Sequence, residues 1–213
     1  MAPVSTDPPA PRTRLSPEQR RSQLLDLGVR LLATRSVDEL SIDLLAEEAG
    51  ISRGLLYHYF GSKRAYYVAT VAHAAQRLLD ETNADPSLPS QEQLRAGFAA
   101  YLDFVERRAD AYAALIGGGL GADAEVHAIV ENTRQVIIDR MLAGVGLTAP
   151  PPVVVVALRA WVGAVEAACL EWLHHRAVTR DALFAVLVGG LTGLTHAAAE
   201  LAPGLEVPVF AGS

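Results

Sequence analysis

Only one cysteine and one lysine occur among 213 residues, and aromatics make up just 6% of the chain. The lone Cys169 excludes a disulfide scaffold and a cysteine-rich zinc module, and it fits a reducing compartment. Positive charge is also scarce: 18 Lys and Arg face 24 Asp and Glu, a formal charge of −6. Taken as an average, that balance argues against nucleic acid, whose phosphates call for cations. No sustained period-2 alternation is present, which argues against exposed sheet. The first fourteen residues, MAPVSTDPPAPRTR, hold no apolar run and read as a Pro-rich arm rather than a signal peptide. What the chain does have is apolar bulk. Hydrophobic residues make up 51% and mean hydropathy is +0.23, which excludes a wholly disordered chain. The length suits one domain or two small ones.

Apolar residues recur at three- and four-residue spacings, so the chain reads as all-α with about nine helices. Ser16-Pro17-Glu18-Gln19 opens the first, with Ser as N-cap and Pro at the first helical position. Further helices are expected over 41–49, 52–60 and 62–83. After the turn-rich stretch Asp85 to Ser90, helices follow at 90–108, 109–117, 122–144, 151–175 and 179–202. This divides the chain into a disordered arm (1–15), a small N-terminal module (16–64), a larger helical domain (65–203) and a tail (204–213). Residues 182–199 carry no charge and reach the minimum length of a membrane span, about 18 residues. Gly189-xxx-Gly193 within them is a spacing that membrane helices use for close contact, but Gly190, Thr192, Thr195 and His196, and the lack of a flanking basic cluster, favour a buried helix of a soluble protein.

The strongest local signal is SIDLLAEEAGISRGLLYHYF at 41–60. Leu45 and Ala46 face inward, Ala49 permits close approach, Gly50 turns the chain, Ile51 plugs the angle and Leu56 packs the second helix from behind. A helix, a short turn and a second helix form the unit that lays its second helix in the major groove. Ser52, Arg53, Gly54 and Leu55 then meet base edges: Arg53 suits guanine, Gly54 allows close approach, and Leu55 can touch a thymine methyl. Ser41, Tyr57, His58, Tyr59 and Lys63 are phosphate-contacting types around it. A short helix cannot bury Tyr57, His58 and Tyr59 on one face, so at least one points outward.

At these residues the chain resembles the DNA-binding domain of the tetracycline-repressor (TetR) family. The likeness runs through Ser41, Ala46, Ala49-Gly50-Ile51-Ser52, Gly54, Leu56-Tyr57-His58-Tyr59-Phe60, Ser62-Lys63 and Ala65. It implies that Ser41, Tyr57, Tyr59 and Lys63 hold phosphates, that Arg53, Gly54 and Leu55 read bases, and that His58 serves either role. Three positions depart from the family's pattern: Leu55 stands where Ser or Thr is common, Gly61 where Pro is frequent, and Tyr66 where an aliphatic is usual. Arg12, Arg14, Arg20 and Arg21 add cations that can reach backbone or minor groove.

The resemblance also implies a C-terminal domain that binds a small effector and dimerises through the last two long helices. Phe98, Tyr101, Phe104, Tyr112, His127, Asn132, Trp161 and Glu166 are candidates for the effector pocket. Gly163, Ala167, Trp172, Gly189, Gly190 and Gly193 are candidates for the dimer interface. Arg159 and Glu166, ionisable groups on an apolar helix, either pair across the dimer or face the pocket. A homodimer matches a palindromic operator in double-stranded DNA. The reading is therefore a cytoplasmic repressor released by a hydrophobic or amphipathic effector, with no cofactor, metal or membrane partner. Catalytic patterns fail: Glu171-x-x-His174 lacks a second copy and His196-xxx-Glu200 lacks a third ligand. A helical carrier or enzyme is the alternative, and a membrane-associated helical protein a more distant one. The charge divides in the same way. Residues 1–64 carry nine Lys and Arg against eight acids, and residues 65–213 carry nine against sixteen, so the acidity lies outside the reading module.

Overall fold

Four serines set where the first four helices begin. Ser16 caps α1 (Pro17–Thr34): its Oγ accepts from the Gln19 amide at 3.2 Å while the Gln19 side chain accepts from the Ser16 amide at 2.9 Å. Ser41, Ser52 and Ser62 cap α2 (Ile42–Ala49), α3 (Arg53–Phe60) and α4 (Lys63–Glu81), each hydroxyl accepting from the backbone amide three residues on. Such caps contribute about 1 kcal/mol each. Gly50, at φ +63, closes α2 in a left-handed turn, and the Ile51 amide returns to the Ala46 carbonyl at 3.0 Å.

This computed structural model describes residues 15–35, 39–117 and 123–202; the arm with Arg12 and Arg14 and the tail 204–213 lie outside them. The remaining helices are α5 (Ser90–Arg107), α6 (Ala109–Tyr112), α7 (Ala124–Gly144), α8 (Pro152–His175) and α9 (Arg180–Glu200). No strand occurs among the described residues. One expectation changes. Instead of a single helix over 109–117, α6 widens into a π-helical turn at Ala113–Gly117. The wider turn turns two successive residues, Leu115 and Ile116, toward the interior cavity.

Three apolar clusters hold the molecule together. Leu24, Leu25, Leu31, Leu45, Leu56, Phe60 and Tyr66 form the core of the N-terminal module. Phe98, Leu102, Ile138, Trp161, Cys169 and Leu191 lie in the larger core of the second. Val68 and Val71 of α4 meet Val126 of α7 in a small seam between them. Helix α4 thus contributes to both sides of the expected boundary near residue 65. Tyr66 is part of the N-terminal core rather than a bridge between modules: its ring meets Phe60 edge-on at 4.8 Å and its hydroxyl donates to the Leu24 carbonyl at 2.6 Å.

Helices α8 and α9 pack on each other and are apolar enough to span a membrane by composition, with mean hydropathies of 1.9 and 1.6. Their tryptophans, Trp161 and Trp172, and the leucines Leu158, Leu183, Leu187 and Leu191 point inward. Trp161 donates its indole N–H to the Leu187 carbonyl at 2.8 Å, binding α8 to α9.

Candidate functional site

Helix α3 is short because Ser52 starts it and Gly61 stops it, and within eight residues it sorts its side chains sharply. Leu56 and Phe60 are buried and fix the helix from behind, while Arg53, Gly54, Leu55, Tyr57 and His58 are exposed. Leu55 is 37% and Tyr57 48% exposed, large apolar side chains left open to solvent among the described residues. Tyr59 turns the other way, half-buried against the N-terminal core and 5.8 Å from the His58 ring. Ser41 and Ser52 lie exposed at two helix starts, and Lys63 stands half-buried at the first position of α4. Free backbone amides at a helix start are of the kind that can hold phosphate oxygens.

One partner was not visible in the sequence. Arg53 forms an ion pair with Asp43 of α2, across the turn that joins the two helices. The guanidinium is therefore oriented by its own chain, and a base edge has to displace a carboxylate to engage it. A second pair ties this region to the other domain. Arg64, on the first turn of α4, bonds Asp123 at 2.9 Å, the residue that caps α7, and also reaches Glu125. The Arg64 guanidinium, by hydrogen bonding first, holds the Asp123 carboxyl below the usual carboxylate range.

A cavity of about 560 Å³ lies in the second domain between α4, α5, α7 and α8. Six of the expected residues line it: Phe98, Tyr101, Phe104, Tyr112, Trp161 and Glu166. Phe98 stacks on Phe184 at 5.0 Å and tilts against Trp161 at 5.8 Å, making one wall aromatic. Tyr101 and Tyr112 share a hydrogen bond of 2.8 Å between their hydroxyls. Burial above all drives both phenols well above their ordinary values, so both stay protonated. His127 and Asn132 do not line the cavity and are exposed on α7. The cavity stripe of that helix runs through Val130, Thr133, Arg134, Ile137, Arg140 and Met141; Asn132 is off it and His127 lies a turn before it.

Glu166 faces the cavity and is paired. Arg134 of α7 grips it with two bonds, Nε to Oε1 at 2.9 Å and Nη2 to Oε2 at 2.6 Å. Arg134 also contacts Glu131, and Glu131 in turn pairs with Arg159. Arg159 and Glu166 of α8 are thus both paired within the chain by α7, a geometry sequence spacing alone could not supply. Cys169 is completely buried, and burial pushes its thiol up to about 12. At pH 8 only about one thiol in ten thousand is then ionised. The folded protein is expected to resist alkylation at that pH and to react fully once unfolded. Rapid labelling of the native state, followed by intact-mass measurement, would show the thiol accessible instead.

Outside the cavity, one face of α8 and one of α9 are bare. Gly163 and Ala167 are exposed on the first, Gly189, Gly190 and Gly193 on the second, with Val156 and Val186 at 67% and 70% exposure beside them. A Cβ added at any of these four glycines meets nothing within 4 Å. Trp172 is not on this face. It is buried, its indole donating to the Val178 carbonyl at 2.9 Å while Arg176 stacks over its ring at 4.0 Å. Among the described residues no three His, Cys, Asp or Glu side chains gather as metal ligands; Glu171 pairs with His175, and His196 with Glu200.

Comparison with known proteins gives a consistent picture. Residues 24–70 match the model for bacterial regulatory proteins of the tetR family, and residues 90–193 match the tetracyclin repressor-like C-terminal domain. A crystal structure of a tetR-family transcriptional regulator from Streptomyces coelicolor is 32% identical, covers 88% of this chain and 85% of its own, and superposes with a TM-score of 0.78. The HTH-type transcriptional activator FasR of Mycolicibacterium smegmatis is 26% identical over 128 residues, 59% of this chain and 58% of that one. The HTH-type transcriptional regulator BetI of Brucella anthropi is 34% identical over 74 residues, 35% of this chain and 38% of its own. The matches to these last two relatives therefore span less than two thirds of their lengths.

Proposed function

Since the chain belongs to the TetR family and is a DNA-binding transcriptional regulator, we propose that it works in the cytoplasm as a homodimeric repressor. It holds a palindromic operator through two copies of α3 and is released when a hydrophobic or amphipathic effector fills the cavity between α4, α5, α7 and α8. The observation that carries this reading is the sorting of α3, with Leu56 and Phe60 locked in the core and Arg53, Gly54, Leu55, Tyr57 and His58 presented together. Arg53 reads guanine beside Ser52 and Gly54, Leu55 meets a thymine methyl, and Ser41, Tyr57 and Lys63 position the phosphates, while Tyr59, half-buried against the core, is left to orient the helix. Effector in the cavity favours a spacing of the two reading helices that no longer matches successive grooves, a shift of population.

A gel shift with the DNA upstream of the protein's own gene tests the assignment. Arg53→Ala is expected to weaken binding by about 5- to 150-fold, since a bidentate base contact contributes about 1–3 kcal/mol. Tyr57→Ala should weaken binding to all sequences alike, because a phosphate contact carries no base preference. Parent-like affinity in both variants would place the reading face elsewhere. A reporter behind the same DNA reads the sign of control: derepression on deletion of the regulator supports repression, and loss of expression marks an activator.

A further inference from the structure

Behind the apolar cavity lies a second, more polar one. A cleft of about 350 Å³ opens where α1, α4 and the α5–α6 junction meet, and Arg30, Arg77, Arg107 and Arg108 line it together with Asp26 and Asp110. Val29, Ala74, Arg108 and Ala111 form walls of both spaces, so a partition of mostly small apolar side chains is all that separates them. Three of the arginines converge on one carboxylate: Glu81 receives Arg107 at 2.6 Å, Arg108 at 2.8 Å and Arg77 at 3.7 Å. Arg77 also bonds Asp26 at 2.7 Å. Arg30 has no carboxylate partner among the described residues. Four cations thus answer to three acids, Asp26, Glu81 and Asp110, and the surplus sits at the edge of an apolar cavity.

We propose that this arginine cleft binds the phosphate headgroup of an effector whose apolar tail occupies the adjoining cavity. The proposal rests on the effector reading above and names the effector class: a long-chain amphiphile ending in a phosphate. Guanidinium forks suit phosphate oxygens, which accept two parallel bonds from one arginine and leave others for its neighbours. Arg30 supplies an unengaged fork, and Arg107 exchanges one oxygen of Glu81 for one of the ligand. Position gives the site its regulatory meaning. Arg30 belongs to α1 of the DNA-binding module, Arg77 to α4, and Arg107 to α5 of the regulatory domain. A headgroup held here engages charged side chains of both modules at once, where an apolar tail alone meets the DNA-binding module only through Val29.

Isothermal titration of the full-length protein with dodecyl phosphate, dodecanol and inorganic phosphate, each below its aggregation limit, separates the parts. Dodecanol is expected to bind through the cavity, and dodecyl phosphate about tenfold tighter through added charge-assisted bonds. Arg30→Ala and Arg107→Gln should each erase most of that difference while leaving dodecanol affinity unchanged, neither residue lining the apolar cavity. Arg30 has no pair to lose, so its variant remains informative if Arg107→Gln unfolds. Equal affinity for dodecanol and dodecyl phosphate overturns the arginine assignment and leaves the cavity reading standing. Binding of neither overturns both. Inorganic phosphate binding as tightly as dodecyl phosphate also overturns the proposal, because the cleft is then an independent anion site.

Discussion

A Gly190→Arg variant is expected to run as a monomer in sedimentation velocity and to lose operator affinity by about a hundredfold or more, as one half-site replaces two. The reason lies in where the glycines are. Gly163 on α8 and Gly189, Gly190 and Gly193 on α9 face open space, and a Cβ at any of them meets nothing within 4 Å among the described residues. Interior glycine in a helix costs roughly 1 kcal/mol relative to alanine, so four such positions carry a stability cost that no contact within the monomer offsets. In the proposed homodimer the glycines have a use: without side chains, the backbones of two protomers can approach closely, flanked by the bare Val156 and Val186. The same openness makes the experiment clean. Arginine at 190 has room in the monomer, so the helical content by circular dichroism should match the parent even as the melting temperature falls with loss of association, and loss of DNA binding then reports assembly rather than misfolding. A variant that stays dimeric and binds normally would move the interface off this face.

Gly28→Val should cost the protein about 2–4 kcal/mol and lower its melting temperature by about 5–10 °C. Here the glycine is needed inside the chain. A Cβ at position 28 would lie 2.5 Å from Thr70 Oγ1, 2.8 Å from Thr70 Cγ2 and 2.7 Å from the Tyr66 hydroxyl. None of the three can retreat freely: the Thr70 hydroxyl donates to the Tyr66 carbonyl at 2.8 Å, and the Tyr66 hydroxyl donates to the Leu24 carbonyl at 2.6 Å. Even Gly28→Ala should destabilise measurably, and a Thr70→Ala, Tyr66→Phe background should shrink its cost by removing the atoms it strikes. An unchanged cost in that background would show that α1 relieves the contact by moving away from α4.

Much of this was legible because it is written in local chemistry. Ser16, Ser41, Ser52 and Ser62 announce four helix starts, and Ala49-Gly50-Ile51 announces the turn that sets α3 against α2. The aromatic run 57–59 must divide between core and solvent, and it does, with Tyr59 inward and Tyr57 outward. Legibility ended where a residue's role depends on which face of an apolar helix meets what. Trp172 looked as suited to a partner as the glycines near it, yet α8 sends its large residues inward and its small ones outward. That contrast of size is present in the sequence, but hydrophobicity averages it away. His127 and Asn132 failed for a related reason, since aromatic and polar character does not reveal the register of α7 against the cavity. The links between Arg53 and Asp43, Arg64 and Asp123, and Arg134 and Glu166 join different helices, and no spacing rule reaches that far.

Helix α4 connects these parts mechanically. Its Arg77 and Glu81 end stands in the arginine cleft, and its Lys63 and Arg64 end adjoins the reading helix, bolted through Arg64 to the start of α7. Nineteen residues make a rod of roughly 28 Å. A tilt of about 5° at one end therefore sweeps the other through about 2.5 Å, roughly three quarters of the ~3.4 Å rise of one base-pair step. In the proposed dimer a two-fold axis directs the two sweeps oppositely, so the spacing of the two α3 helices changes by up to about twice that distance while the cavity's shape hardly alters.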